Sequence, residues 1–525
     1  MERNFVCTKD YPIADTVHGK IRGFELDGIL TFHGIKYADA QRFQKPVPVQ
    51  SWEGVKTAWS YGSIAPTFGN PIPSGELFIP HRFWPASEHC QYLNIWTKSL
   101  NRTAKKPVLV WFHGGGFADG SSIEQVAYEG DALCRFGDVV VVTVGHRLNI
   151  LGFLDMSSFD PKYENSVNAG MEDIVASLRW IQENIEGFGG DPGNVTIFGQ
   201  SGGGGKVSTL LQIPAADGLY HKAVMMSGGC DSHDNRTPDH RPLVEEMLKV
   251  LDVIPEDYEV LEKVPYSVLM KAYNRAARRI SLPLMWGPVP NGWYLGHPFQ
   301  AGFSSYAKKV PTIVSSVISE FSAFSKDQHS NCESTDAEKR LYAQEYYQQK
   351  GNEILELFQK AYPGKDLTVA TKLDFWARPS ILRYLEARDA TNPEAPAYAS
   401  QLALVFDING GVPAWHCADI PFVFHNTSRV ACSNISGVSD RLEEQMAGAL
   451  VAFARTGNPN HQALPLWEPY TTKRKVTMVF DRQTKARIDF DRELLEKAIA
   501  YGPPFQQLTP RIAEDDEGDG KAWLY

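Results

Sequence analysis

Apolar residues along this chain fall into two rhythms. Short, nearly continuous runs at 107–112, 139–144 and 195–198 are long enough for strands and too short for helices. Strands covered on both faces read this way. Between them, residues 170–187 place Ile174, Leu178, Trp180, Ile181 and Ile185 at helical spacing. Further strands are read at 93–96, 222–226, 310–317 and 399–406, and two antiparallel ones at 16–24 and 29–34 lead in. Strands separated by helices imply right-handed crossovers and a mostly parallel sheet, the α/β class. From about 240 to 305 and again from about 330 to 395 the character changes. Arg and Lys there alternate with Tyr, Leu and Met at helical spacing, as in 266–280 and 337–361. These blocks are expected to be helical insertions over the carboxyl-terminal edge of the sheet, where open α/β sheets bind ligands.

Composition narrows the reading. The 525 residues are globular throughout, 43% hydrophobic and 22% charged, with no Gly/Ser-rich or Pro-rich linker. One elaborated domain across residues 1–525 is therefore expected. A net charge of -10 disfavours nucleic acid as a partner, because phosphate binding needs a basic face. The longest apolar run, 139–144, is far too short for a bilayer. The N-terminal MERNFVCTKDYPIAD is charged early and lacks an apolar core. A cytoplasmic protein without stable membrane association is the expectation. Seven scattered cysteines, odd in number and without a C-x-x-C pair, indicate neither a zinc site nor a disulfide framework.

The chemistry enters at Gly199-Gln200-Ser201-Gly202-Gly203, directly after the strand 195–198. A G-x-S-x-G segment between a strand and a helix is a nucleophile elbow, which holds a serine at a helix N-terminus. Ser201 is thus read as a nucleophile. Such a serine needs an oxyanion hole, a base and an orienting acid. Strand 107–112 runs into His113-Gly114-Gly115-Gly116-Phe117, whose unshielded backbone suits an alkoxide; the expected donors are the N–H groups of Gly115, Gly116 and Gly202. In this architecture the order along the chain is serine, acid, histidine. That leaves His329, His416, His425 and His461 as bases, and His416, on a loop beyond a strand, leads. For the acid, Glu320 follows strand 310–317 and leads over Asp327, Asp374 and Asp407.

These residues together resemble the type-B carboxylesterases, the group that also contains cholinesterases, bile-salt-activated lipases and neuroligins, and most of all its microbial and fungal carboxylesterases. The resemblance runs nearly the whole length: Arg42-Phe43, Ser87-Glu88-His89-Cys90-Gln91-Tyr92-Leu93-Asn94, His113 to Phe117, Phe188-Gly189-Gly190-Asp191-Pro192, the elbow, Gly287-Pro288-Val289, His416 and Thr456-Gly457-Asn458-Pro459-Asn460. It implies an α/β-hydrolase fold and a serine carboxylesterase that works through an acyl-enzyme on a small ester, with no cofactor and no metal. The acid of this family lies nine residues after the proline that opens its strand, which is Glu320 counted from Pro311. The family's H-G-x-E/D-I/L-P segment corresponds to His416-Cys417-Ala418-Asp419-Ile420-Pro421. The family pattern also suggests Arg42 with Glu88, and Arg147 with Asp173, as structural ion pairs, and Ser227 as a serine near the acid and histidine.

Four positions depart from that pattern. Gln200 stands where Glu is common, Gly202 where Ala is common, and Cys417 where Gly is common. Cys90 lacks the upstream cysteine with which secreted members pair it, so it is expected to be free. The same site also serves acyl transferases, lactonases, thioesterases and dehydratases, and neuroligins are interaction proteins without the nucleophile.

Overall fold

The computed structural model describes residues 4–67, 78–230, 239–321, 334–408 and 410–503. Its centre is a sheet in which alternate side chains of each strand enter opposite cores. In strand Lys106–Phe112, Val108, Val110 and Phe112 join one apolar cluster, while Leu109 and Trp111 join the other. This is the period-two consequence of a pleated backbone. Both clusters are fully shielded, which explains why these strands read as unbroken apolar runs. Strand Val140–Val144 is buried at every position.

The sheet contains twelve described strands. Phe5–Val6, Phe24–Leu26, Ile29–Lys36 and Tyr92–Thr97 pair antiparallel, and Tyr92–Thr97 passes antiparallel to Val140–Val144. Then Val140–Val144, Lys106–Phe112, Gly190–Gln200, Lys222–Met226, Thr312–Val317, Ala397–Leu402 and Val476–Phe480 run parallel, and Lys485–Ile488 closes the edge antiparallel. Strand Lys106–Phe112 lies between Val140–Val144 and Gly190–Gln200, so the chain leaves it in one direction and later returns on its other side. That reversal opens a crevice at the carboxyl ends of the strands. The glycine loop and the serine elbow both emerge there.

The expected elements hold with local differences. Residues 16–24 form a hairpin, not one strand: Ile13–Thr16 pairs with Gly19–Arg22 in a small separate sheet, and Phe24–Leu26 begins the large one. The run 337–361 is two helices, Asp336–Tyr346 and Gly351–Ala361, because Gln348 and Gln349 take positive φ and end the first. Residues 399–406 divide into Ala397–Leu402 and Val405–Phe406. Helices Arg241–Val250 and Tyr266–Arg279 build a third apolar cluster with Phe43, Ile150, Leu151 and Leu154. No described helix is long and apolar enough to cross a membrane.

The ion pairs foreseen at Arg42–Glu88 and Arg147–Asp173 are present. Cys90 is a buried free thiol.

Candidate active site

Strand Gly190–Gln200 ends against helix Gly202–Leu210, and the residue between them is Ser201, at φ 59° and ψ -126°. A non-glycine residue in that region is strained, and surrounding structure must hold it there. The glycines supply the hold. A Cβ on Gly203 would meet the Phe112 carbonyl oxygen at 2.0 Å, and one on Gly228 would meet the Ser201 carbonyl oxygen at 2.1 Å. Only bare backbone lets the three chain segments approach this closely. The Ser201 N–H donates to the Met226 carbonyl at 2.8 Å, which ties the elbow to the neighbouring strand.

The glycine loop after strand Lys106–Phe112 passes directly over the elbow. Gly115 and Gly116 take φ of 79° and 63°, and both are open to solvent in part or in full. Among the described residues neither N–H finds an acceptor within the chain. Gly202 is the first residue of its helix, so its N–H has no intrahelical acceptor. Three free donors therefore collect around Ser201.

Glu320 and His416 sit on loops that leave neighbouring regions of the sheet and are stitched together by backbone. The Ser319 N–H donates to the Ala414 carbonyl at 3.1 Å, and the His416 N–H to the Glu320 carbonyl at 2.8 Å. Their side chains meet at 2.6 Å between His416 Nδ1 and Glu320 Oε2. Both are buried. Burial penalises each for carrying charge alone: it pushes the Glu320 carboxyl up to about 8 and the His416 imidazole down to about 4. The short contact joins them into one hydrogen-bonded pair. The Val317 N–H donates to Glu320 Oε1 at 3.1 Å and favours the carboxylate. The buried Ser227 hydroxyl favours the carboxylate in the same direction.

The other candidates are accounted for by structure. Asp374 accepts the N–H groups of Trp376, Ala377 and Arg378 and so caps helix Ala377–Asp389. Asp407 pairs with Arg482 at the surface. His425 stacks on Phe136 and pairs with Glu443, and His461 contacts the Gln445 carbonyl. Asp327 and His329 lie outside the described residues. Asp419, which spacing does not bring forward, is buried three residues after His416, and its carboxyl is pushed up to about 7 by burial and by Glu320.

Two of the departures from the family pattern turn out to be one feature. The Gln200 amide nitrogen lies 3.3 and 3.4 Å from the two ring nitrogens of His416, so it sits over the face of the imidazole. The Cys417 thiol donates to Gln200 Oε1 at 3.2 Å and fixes which way that amide faces. Cys417 does this from φ 77°, a conformation natural to the glycine it replaces. The third departure, Gly202, is also explained: a Cβ there would lie 2.1 Å from the Gly116 carbonyl oxygen.

Among the described residues no cluster of His, Cys, Asp or Glu is placed to hold a metal ion.

The geometry is that of a hydrolase, and the comparisons give it a family. The sequence model of the carboxylesterase family matches residues 10–500. This chain belongs to the carboxylesterase family. It is 32% identical to the para-nitrobenzyl esterase of Bacillus subtilis over 509 residues, spanning 93% of this chain and 98% of that protein. It is 28% identical to the phenmedipham hydrolase of Pseudarthrobacter oxydans, spanning 87% and 93%. Among solved structures, an esterase from the anaerobe Clostridium hathewayi, described as able to hydrolyze aliphatic aromatic polyesters, is 44% identical. It superposes with a TM-score of 0.91 over 95% of this chain and 100% of that one. The fold is the α/β-hydrolase fold, and the carboxylesterase is a carboxylic ester hydrolase.

Gln200 carries a test. A carboxylate over the imidazole face favours its protonated form, so Gln200→Glu raises the pH at which the His416 imidazole loses its proton. The acid limb of kcat/KM is expected to move up by roughly one unit, read from the pH–rate profile of the variant beside wild type. An unmoved limb would contradict the placement of Gln200.

Proposed function

We propose that this carboxylesterase hydrolyses aryl and short-to-medium acyl esters through an acyl-enzyme on Ser201. The observation that carries the reading is the 2.6 Å contact between His416 and Glu320 beside a serine held at positive φ. Ser201 Oγ attacks the ester carbonyl carbon while its proton passes to His416 Nε2. Glu320 accepts the Nδ1–H and fixes the tautomer. The N–H groups of Gly115, Gly116 and Gly202 stabilise the oxyanion. Collapse of the tetrahedral adduct breaks the ester C–O bond, and the departing alkoxide takes the proton from His416 Nε2. Water, deprotonated by the same imidazole, then attacks the acyl-enzyme and releases the acid, returning the proton to Ser201.

An apolar, aromatic surround supports the substrate class. The Phe321 ring lies 4.4 Å from the His416 imidazole and 5.4 Å from Trp376, itself 5.9 Å from the imidazole. Phe117 lines the glycine loop and packs edge-on to Phe153. Names of two relatives point the same way, one a para-nitrobenzyl esterase and one acting on aliphatic aromatic polyesters. Other aromatics of the helical blocks are packing residues: Trp286 lies on Tyr273, and Tyr347 is fully buried. We further read the chain as one domain whose helical insertions shape the pocket. A cytoplasmic setting fits the free thiols at Cys7, Cys90, Cys134, Cys230, Cys417 and Cys432.

The test is a panel of p-nitrophenyl esters from acetate to octanoate, with phenyl and benzyl esters alongside. Turnover is expected across the panel with kcat/KM varying smoothly with acyl length. Turnover confined to charged or long-chain esters would overturn the substrate class.

A further inference from the structure

Lys206 lies five residues after Ser201, on helix Gly202–Leu210, and is fully buried. Among the described residues it forms no ion pair with a carboxylate. Its ammonium is spent on carbonyl oxygens of the glycine loop: His113 at 2.8 Å, Gly116 at 2.9 Å and Gly114 at 3.5 Å. The Phe117 ring covers it at 5.5 Å.

A buried cation is costly unless it is paired or hydrogen-bonded, and here backbone carbonyls hold it. Here it spans the two pieces of backbone that meet at the elbow. One is the helix whose first N–H belongs to Gly202, the other the loop that carries Gly115 and Gly116. The Gly114 carbonyl shares its peptide unit with the Gly115 N–H, so a cation drawn to that oxygen polarises that donor. Gly202 completes the device. It lies one helical turn before Lys206, at the i, i+4 spacing that shares a face. The Gly116 carbonyl that Lys206 grips occupies the space a Cβ on residue 202 would fill.

We propose that Lys206 is a positioning residue for the oxyanion hole: its buried ammonium clamps the glycine loop onto the elbow helix, and turnover follows the charge it carries. The proposal rests on Ser201 being the nucleophile served by those donors.

Burial brings the Lys206 ammonium down to about 7, with Glu124 opposing the shift. The titratable groups that face it are His113, His146 and Glu124. The two imidazoles stack on each other and are held neutral, chiefly by burial, with Lys206 adding to the effect. Glu124 accepts the Ser121 N–H and faces His81. As pH rises through the neutral range the lysine loses its charge and one of its three donors. The clamp then weakens in a range where His416 remains a base.

The experiment compares wild type, Lys206→Met and Lys206→Arg. It reads kcat and KM against pH, together with inhibition by an aryl trifluoromethyl ketone, which forms an oxyanion on the serine. Thermal melts establish that each variant folds, and active-site titration with a phosphonate ester counts reactive serines. Lys206→Met is expected to lower kcat/KM about ten- to a hundredfold, because loosened donors forfeit part of the 10²- to 10³-fold a single donor supplies. Ketone affinity should weaken by a similar factor while KM changes little. Wild type should lose activity and ketone affinity on an alkaline limb that Lys206→Arg, permanently charged, does not show. Wild-type kcat/KM, ketone affinity and pH profile in a folded Lys206→Met would overturn the proposal. Should neither variant fold, the pH dependence of ketone affinity in wild type decides, and a flat profile overturns it. No titratable serine in wild type would instead overturn the reading of Ser201, and this one with it.

Discussion

Ser201→Ala is expected to reduce kcat on p-nitrophenyl butyrate by on the order of 10⁴-fold or more while leaving the melting curve unchanged or slightly improved. Alanine removes only Oγ. The Ser201 N–H bond to Met226 and the packing of Gly199, Gly203 and Gly228 belong to backbone and are retained. The residue also leaves a strained conformation in place, so no stability is lost with the hydroxyl. What disappears is the atom proposed to form the covalent bond. The free donors at Gly115, Gly116 and Gly202 remain and still polarise an ester carbonyl, so the residual rate stays above that of water. The paired variant His416→Ala should fall to nearly the same level, because serine and histidine act as one unit and their losses do not add. The check is steady-state kinetics on single and double variants. A double variant with the product of the two single losses would contradict the shared mechanism.

The second large effect is on stability. Arg147→Met is expected to destabilise the fold by about 3–5 kcal/mol. Arg147 and Asp173 are almost wholly removed from water, with side chains 2% and 0% exposed. The guanidinium makes a two-pronged contact, Nε to Oδ2 at 2.9 Å and Nη2 to Oδ1 at 2.7 Å. Its remaining protons go to the carbonyls of Gln41 and Gln44 at 3.0 and 2.8 Å, and to Ala169 at 3.3 Å. Methionine fills much of the volume but, among the described residues, leaves a buried carboxylate with only the Gln91 amide and the residue 147 N–H as partners. The Gln44 carbonyl loses its guanidinium partner as well, while the Gln41 carbonyl keeps the Gln44 N–H. The effect should reach the active site, because Asn149, two residues on, holds the end of the glycine loop through Phe117 and Ala118. Urea denaturation measures the loss. Adding Asp173→Leu to Arg147→Met should restore part of it, since the uncompensated charge is gone. A change below about 1 kcal/mol, the size expected of an exposed pair, would show that this pair is not what holds the loop.

Much of this architecture can be read from the chain before any coordinates. The parallel strands announce themselves because both faces are buried, so apolar residues run unbroken at 108–112 and with one threonine among them at 139–144. The elbow is legible because a serine at positive φ demands glycines around it. Spacing brings Glu320 and His416 forward, but it leaves Asp374 and His425 in contention until the structure shows Asp374 capping a helix and His425 paired to Glu443. Other features are invisible in one dimension. Gln200 and Cys417 each read as an isolated departure, yet they are a single hydrogen-bonded pair separated by 217 residues. Lys206 reads as an ordinary solvated helix residue. Its only signal is position, a lone charge within the first two turns of a helix otherwise made of glycine and small or apolar side chains. The C-terminal end of helix Asp336–Tyr346 escapes pattern reading because two glutamines, not glycines, adopt the left-handed turn.

The central claim is that the ester passes through a covalent bond to Ser201. Rapid mixing of the enzyme with p-nitrophenyl butyrate, followed by acid quench and peptide mass analysis, tests it most directly. The account predicts a burst of nitrophenol no larger than the enzyme concentration and one butyryl group on the peptide that contains Ser201. A butyryl group on another residue, or full turnover by Ser201→Ala, would contradict it.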